Sequence, residues 1–133
     1  MNRGAFLTTI FVAFLATSVF TQTTQTWSIK VNGNTRSCVV HVPSGIDKPA
    51  LVFFVHGAFG SGAGFENDTK GDVTADREKF IAVYPSAAAN GGSGTWADMF
   101  GTSDYPFYLK IIDTVKARYV QRQLFLRYSD NYS

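Results

Sequence analysis

Two histidines, one cysteine and ten carboxylates supply the reactive chemistry of this 133-residue chain. His41, His56 and Cys38 lack metal-ligand spacing, so no metal site is expected. Gly91-Gly92-Ser93-Gly94 has no following Lys and Ser/Thr, so it is no phosphate loop, and Gly57 to Gly64 does not fit the dinucleotide fingerprint; no cofactor is expected. Asp98 and Asp104 have no distinctive setting for paired-carboxylate glycoside hydrolysis. What stands out is the stretch from Leu51 to Gly64. An apolar run, Leu51-Val52-Phe53-Phe54-Val55, leads into His56-Gly57-Ala58-Phe59-Gly60-Ser61-Gly62-Ala63-Gly64. Such a run reads as a strand buried on both faces. Its glycines permit positive φ and let backbone N–H groups come close to a ligand. A strand ending in such a loop is where α/β proteins place chemistry.

The elements that must position this loop can be read from periodicity. Trp27 to Val31 and Arg36 to Val42 alternate around Asn32-Gly33-Asn34, which is a hairpin signal. Residues 19–26, rich in Thr and Gln, are expected to form a flexible lead-in. Within the second strand Cys38 reads as a small core residue, and His41, on the opposite face from Cys38, Val40 and Val42, as a half-exposed strand histidine. Pro43 to Pro49 is turn chemistry, and the third strand spans Ala50 to Val55. A poorly patterned helix is expected over Asp68 to Lys79, with Thr69 and Asp72 at capping-box spacing, followed by a short strand, Phe80 to Tyr84. Residues 86–103 form a long aperiodic loop holding Trp96 and Met99, of a length that is often functional. Asp104 to Tyr119 is the clearest helix: Ser103 or Asp104 can cap it, Phe107, Ile111, Val115 and Tyr119 recur every fourth residue, and Pro106 suits the first turn. A strand at Gln123 to Leu126 ends the series. The order predicts an α/β fold: a mixed, mostly parallel sheet with flanking helices.

Met1-Asn2-Arg3-Gly4, the apolar run to Phe20 and the small residues Ala16-Thr17-Ser18 have the form of a secretory signal peptide over residues 1–18. The chain is therefore expected to be secreted, with no membrane attachment after cleavage. Asn67-Asp68-Thr69 and Asn131-Tyr132-Ser133 match the N-glycosylation pattern, so Asn67 and Asn131 are candidate acceptors. Twelve basic against ten acidic residues give a net charge of +2, and nothing here implies nucleic acid. Lys110, Lys116, Arg118, Arg122 and Arg127 gather near the C-terminus as a solvated helix face would.

Taken together, Pro43 after an alternating strand, His56-Gly57 closing the run from Leu51, Ala75-Asp76 before Phe80, Val83-Tyr84-Pro85, Thr95-Trp96, and a helix opened by Asp104 resemble secreted α/β-hydrolase esterases. The nearest type is the polyhydroxybutyrate depolymerase, feruloyl esterase and acetylxylan esterase group. The resemblance covers roughly residues 27–122. It implies carboxylic-ester hydrolysis, on plant cell-wall polysaccharide or polyester substrates, by a Ser nucleophile on a tight elbow, a His base and an acid. By that resemblance Gly57, Ala58 and Phe59 would form part of the oxyanion hole, Ala58 or Phe59 donating the backbone N–H, with His56 a structural part of the loop. Trp96 is the substrate-pocket candidate, against the plainer reading that it packs under its own loop. Ser129 stands in the nucleophile position of Gly-x-Ser-x-Gly, but Arg127 and Asn131 replace both glycines and no histidine follows. In this fold the order is Ser, acid, His, so neither His41 nor His56 suits the base role. The resemblance thus implies the N-terminal half of an α/β-hydrolase domain over residues 27–133, truncated at the nucleophile strand and inactive as it stands. Alternatives are a complete non-catalytic binding or remnant protein, and a residual esterase using Ser129.

Overall fold

The computed structural model describes residues 21–88, 96 and 104–120. Its centre is a four-stranded mixed sheet. β1 (Thr23–Val31) and β2 (Asn34–Val42) form an antiparallel hairpin, with Trp27 opposite Cys38. Asn32 and Gly33 both take positive φ, 49° and 81°, the conformation whose twist matches that of the flanking strands in a two-residue hairpin. β3 (Leu51–Phe53) is followed by α1 (Gly62–Thr69) and α2 (Gly71–Glu78), and these lead to β4 (Ile81–Pro85). β4 inserts between its predecessors: it is antiparallel to β2 and parallel to β3, giving the order β1-β2-β4-β3. Among the described strands the sheet is therefore mixed but not mostly parallel as expected, because the hairpin makes β1–β2 antiparallel and β4 also runs antiparallel to β2. α3 (Tyr105–Val115) then runs into a π-helical turn, Lys116–Val120.

Helices cover both faces, so the sheet has two cores. Trp27, Ile29, Cys38, Val40, Val42, Ile81 and Val83 pack with Phe107, Ile111 and Val115 of α3. On the other face Val39, Ala82 and Tyr84 pack with Ala75 of α2, flanked by Phe54, Phe65 and Phe80. β4 contributes alternate residues to both, which is why its sequence is an unbroken apolar run rather than an alternating one. In a regular α-helix each four-residue step overshoots one full turn by about 40°. The wider π turn offsets that drift and returns Tyr119 to stack on Trp27, with centroids 6.5 Å apart. Arg118 lies over the other part of this contact, its guanidinium 4.3 Å from the Trp27 ring centre.

Several expectations need correction. β1 starts at Thr23, so Thr23 to Thr26, expected in a flexible lead-in, are strand paired with Val39 to Val42. The helix expected over Asp68 to Lys79 is two helices broken at Lys70, which takes a left-handed conformation (φ 48°). The capping box does not form: the Thr69 hydroxyl donates back to the Phe65 carbonyl at 2.7 Å, and Asp72 accepts from the Tyr84 hydroxyl at 2.8 Å. Asp104 stands at the start of α3 without capping it through its side chain. That carboxylate instead meets Arg36 of β2 at 2.6 Å. The signal peptide, the strand expected at 123–126, Ser129 and Asn131 lie outside the described residues.

Candidate functional site

β3 aims the chain at the loop. The Phe54 N–H still donates to Val83 O at 2.8 Å, after which the backbone leaves the sheet. His56 is buried and fixed at both ring nitrogens. Nδ1 lies 2.6 Å from the Gly57 carbonyl, and Nε2 accepts the Ala87 N–H at 3.1 Å. A backbone N–H can only donate, so these partners assign the neutral ring with its proton on Nδ1. His56 is a strut tying the end of β3 to the end of β4. The Trp96 indole N–H donates to the His56 carbonyl at 2.7 Å, and its ring lies 4.8 Å from the imidazole. Tyr108 of α3 stacks on Trp96 at 5.9 Å and meets Phe53 edge-on at 5.3 Å. Trp96 is thus half-buried behind the loop, with its polar atom already used.

Gly57 to Gly60 form a tight turn closed by the Gly60 N–H to the Gly57 carbonyl at 3.3 Å. Phe59 occupies its third position with φ 65°, a conformation that usually calls for glycine, and its side chain is 80% exposed. Holding a bulky residue there costs about 1–3 kcal/mol, and backbone strain of this kind clusters at functional sites. Among the described residues neither the Ala58 nor the Phe59 N–H has an acceptor. Both residues are exposed, in the loop that follows β3. A Cβ on Gly57 would meet nothing within 4 Å, which leaves open space beside them. Gly60 and Gly62 have a different reason to be glycine. A Cβ on Gly60 would lie 2.9 Å from the His56 ring, and one on Gly62 would collide with the Tyr84 carbonyl oxygen. Part of the glycine richness therefore serves close packing. Ser61 then starts α1, its hydroxyl capping the Gly64 N–H at 3.1 Å.

A second polar cluster lies under α2 and is not the half-exposed histidine expected at position 41. His41 is 1% exposed. Its Nδ1 lies 2.7 Å from the Thr24 hydroxyl and 3.1 Å from Asp72, while Nε2 lies 3.0 Å from Asp76. Asp72 and Asp76 are one turn apart on α2, so one helix face presents both carboxylates to the strand. Thr24, His41 and Asp76 have the connectivity of a nucleophile, base and acid. A second carboxylate, Asp72, faces the same ring nitrogen as the Thr24 hydroxyl, at 3.1 Å. The cluster clamps α2 onto the hairpin, with Gln22 adding a bond to Asp76 at 3.0 Å. Burial first, then the nearby Asp72 charge and its hydrogen bond, push the Glu66 carboxyl above its ordinary value. Burial, reinforced by the bond to Asp72, also pushes the Tyr84 hydroxyl up. The i, i+4 carboxylates on α2 were the signal in the sequence; that they face His41 needed the crossover to be known.

Of the residues singled out from sequence, Gly57, Ala58, Phe59 and Trp96 come together at the end of β3. Asn67 is exposed on α1, as a modification acceptor must be. Cys38 is buried among apolar side chains, which pushes its thiol up to about 12. Among the described residues no group of three or more His, Cys, Asp or Glu side chains could hold a metal ion, and no helix is long and apolar enough to cross a membrane. No family model matches the chain, and no curated protein matches it.

Proposed function

We propose that this chain carries the oxyanion arm of a secreted carboxylic-ester hydrolase with the α/β-hydrolase architecture, acting on esters of cell-wall polysaccharide or on polyesters. The observation that carries the reading is the pair of adjacent backbone donors, Ala58 and Phe59 N–H, without acceptors among the described residues in the turn between β3 and α1. The loop between the third strand and the first helix is where α/β-hydrolases hold the second oxyanion donor, opposite the one beside the nucleophile. Negative charge develops on the carbonyl oxygen as the tetrahedral intermediate forms, and donors already fixed in place stabilise it without reorganising. The His56 strut and the Trp96 platform supply that fixity here.

The reading requires a Ser nucleophile, an acid and a His base from outside the described residues. The gene downstream of codon 120, read in all frames, should encode Gly-x-Ser-x-Gly followed by Asp and His. If no frame does, the hydrolase reading falls. In the hydrolase so assembled, Ala58→Pro deletes a single donor, because proline suits the second position of a turn of this kind. Aryl-acetate hydrolysis should then lose about 100–1000-fold in kcat with KM little changed. Wild-type kcat in that variant would remove Ala58 from the oxyanion hole.

A further inference from the structure

β1 is an outer strand of the described sheet, bonded to β2 on one side only. The two-residue turn makes Val31 and Asn34 a hydrogen-bonded pair, and alternation assigns Ile29 with Arg36 and Trp27 with Cys38 to the same kind. The Ser37 carbonyl accepts from Ser86 N–H on the far side of β2 at 2.9 Å, which agrees with this phase. Thr26, Ser28 and Lys30 therefore turn their N–H and C=O groups outward. Along this edge runs a groove of about 440 Å³ between β1 and α3. Its helical wall is Lys110 and Thr114 of α3 with Arg118 of the π turn that follows, and Lys30 adds a third cation from the strand. None of the described residues lining it is acidic.

An edge lysine normally discourages strand pairing. Three cations, with no acidic residue among the described ones that line the groove, discourage apolar and basic strands and attract an acidic one. We propose that this groove binds an extended acidic peptide segment of another protein, added as a further strand to the open edge of β1, with carboxylates on its α3-facing side meeting Lys110 and Arg118. Main-chain bonds to Thr26, Ser28 and Lys30 would supply affinity and the alternate carboxylates specificity. This inference is independent of the ester-hydrolase reading.

The test uses the full chain and a short blocked peptide of alternating valine and glutamate, with binding followed by calorimetry and by amide hydrogen exchange. Binding should weaken as salt is raised, and the peptide should slow exchange at Thr26, Ser28 and Lys30 but not at Gln25 or Trp27, which already bond to β2. Lys110→Glu with Arg118→Glu should weaken binding about tenfold or more. Lys110→Glu alone, at an exposed position, keeps the test valid if the Arg118 change loosens Trp27. Equal binding of a valine–lysine peptide, or of the acidic peptide N-methylated on its pairing amides, would overturn the proposal. So would tighter binding of a sulfated oligosaccharide than of the peptide, or unchanged exchange at Ser28.

Discussion

Replacing Asp104 by Ala should unfold a large part of what holds α3 to the sheet. Its carboxylate is 1% exposed and lies 2.6 Å from the Arg36 guanidinium, which is itself only 10% exposed. Arg36 also donates to the Ser86 carbonyl at 3.1 Å and lies over the Phe107 ring at 4.3 Å. Its Nε is buried without a partner among the described residues. Removing the carboxylate leaves a guanidinium in that setting with a carbonyl and a ring for company. Breaking a buried pair in this way costs about 3–5 kcal/mol, and the residual exposure of Arg36 places the loss near 3. Asp104 makes no side-chain cap on α3, so lost capping adds nothing. A loss of this size is a large fraction of the about 5–15 kcal/mol that stabilises a typical domain. At about 4–8 °C per kcal/mol it lowers Tm by roughly 12–24 °C. The assay is urea unfolding followed by tryptophan fluorescence, repeated for Arg36→Met and for the double variant. The double variant should recover much of the loss, because two buried groups of opposite charge have then gone together. If Asp104→Ala costs less than about 1 kcal/mol, or the cycle shows no coupling, the pair does not anchor α3 to the sheet.

Three more outcomes are expected. Phe59→Gly relieves the left-handed strain while keeping the backbone donor, so urea unfolding should show a gain of up to about 1 kcal/mol, and a clear loss would mean that the ring makes contacts of its own. Glu66 binds its proton more tightly in the folded chain than its ordinary value of 4.5 implies, so its contribution to stability is fullest below that value and is lost as pH rises through the raised one. Glu66→Gln, which removes the repulsion from Asp72, should therefore stabilise at pH 7 by about 0.5 kcal/mol or less after screening, with the gain vanishing near pH 4, as thermal melts at the two pH values would register. Cys38, raised to about 12 by burial, should react with a thiol reagent only through opening of the fold, so labelling should track denaturant; rapid labelling in buffer at pH 8 would contradict its placement.

Much of the architecture was legible because it rests on local chemistry. Asn32-Gly33 suits positive φ at two consecutive positions, so the hairpin and its register follow from adjacent residues. The four-residue recurrence of Phe107, Ile111 and Val115 marks the face of α3 that is buried. Leu51 to Val55 running into glycines placed the loop at a strand end. Read as strands and helices, these elements already imply an α/β sheet covered on both faces. What the residues could not disclose alone was which distant neighbour each polar group would meet. Asp104 reads locally as a helix cap, yet Arg36, far away in the chain, outbids the helix N–H groups for its carboxylate. His41 reads as half-exposed by strand alternation, but the α2 crossover brings Asp72 and Asp76 down on it. Likewise Gly60 and Gly62 looked like room for a ligand, and tertiary contacts with His56 and Tyr84 are what exclude a side chain there. Turn and helix preferences are set by backbone geometry within a few residues, whereas ion pairs and close approaches depend on strand order, and β4 entering between β2 and β3 is what set it.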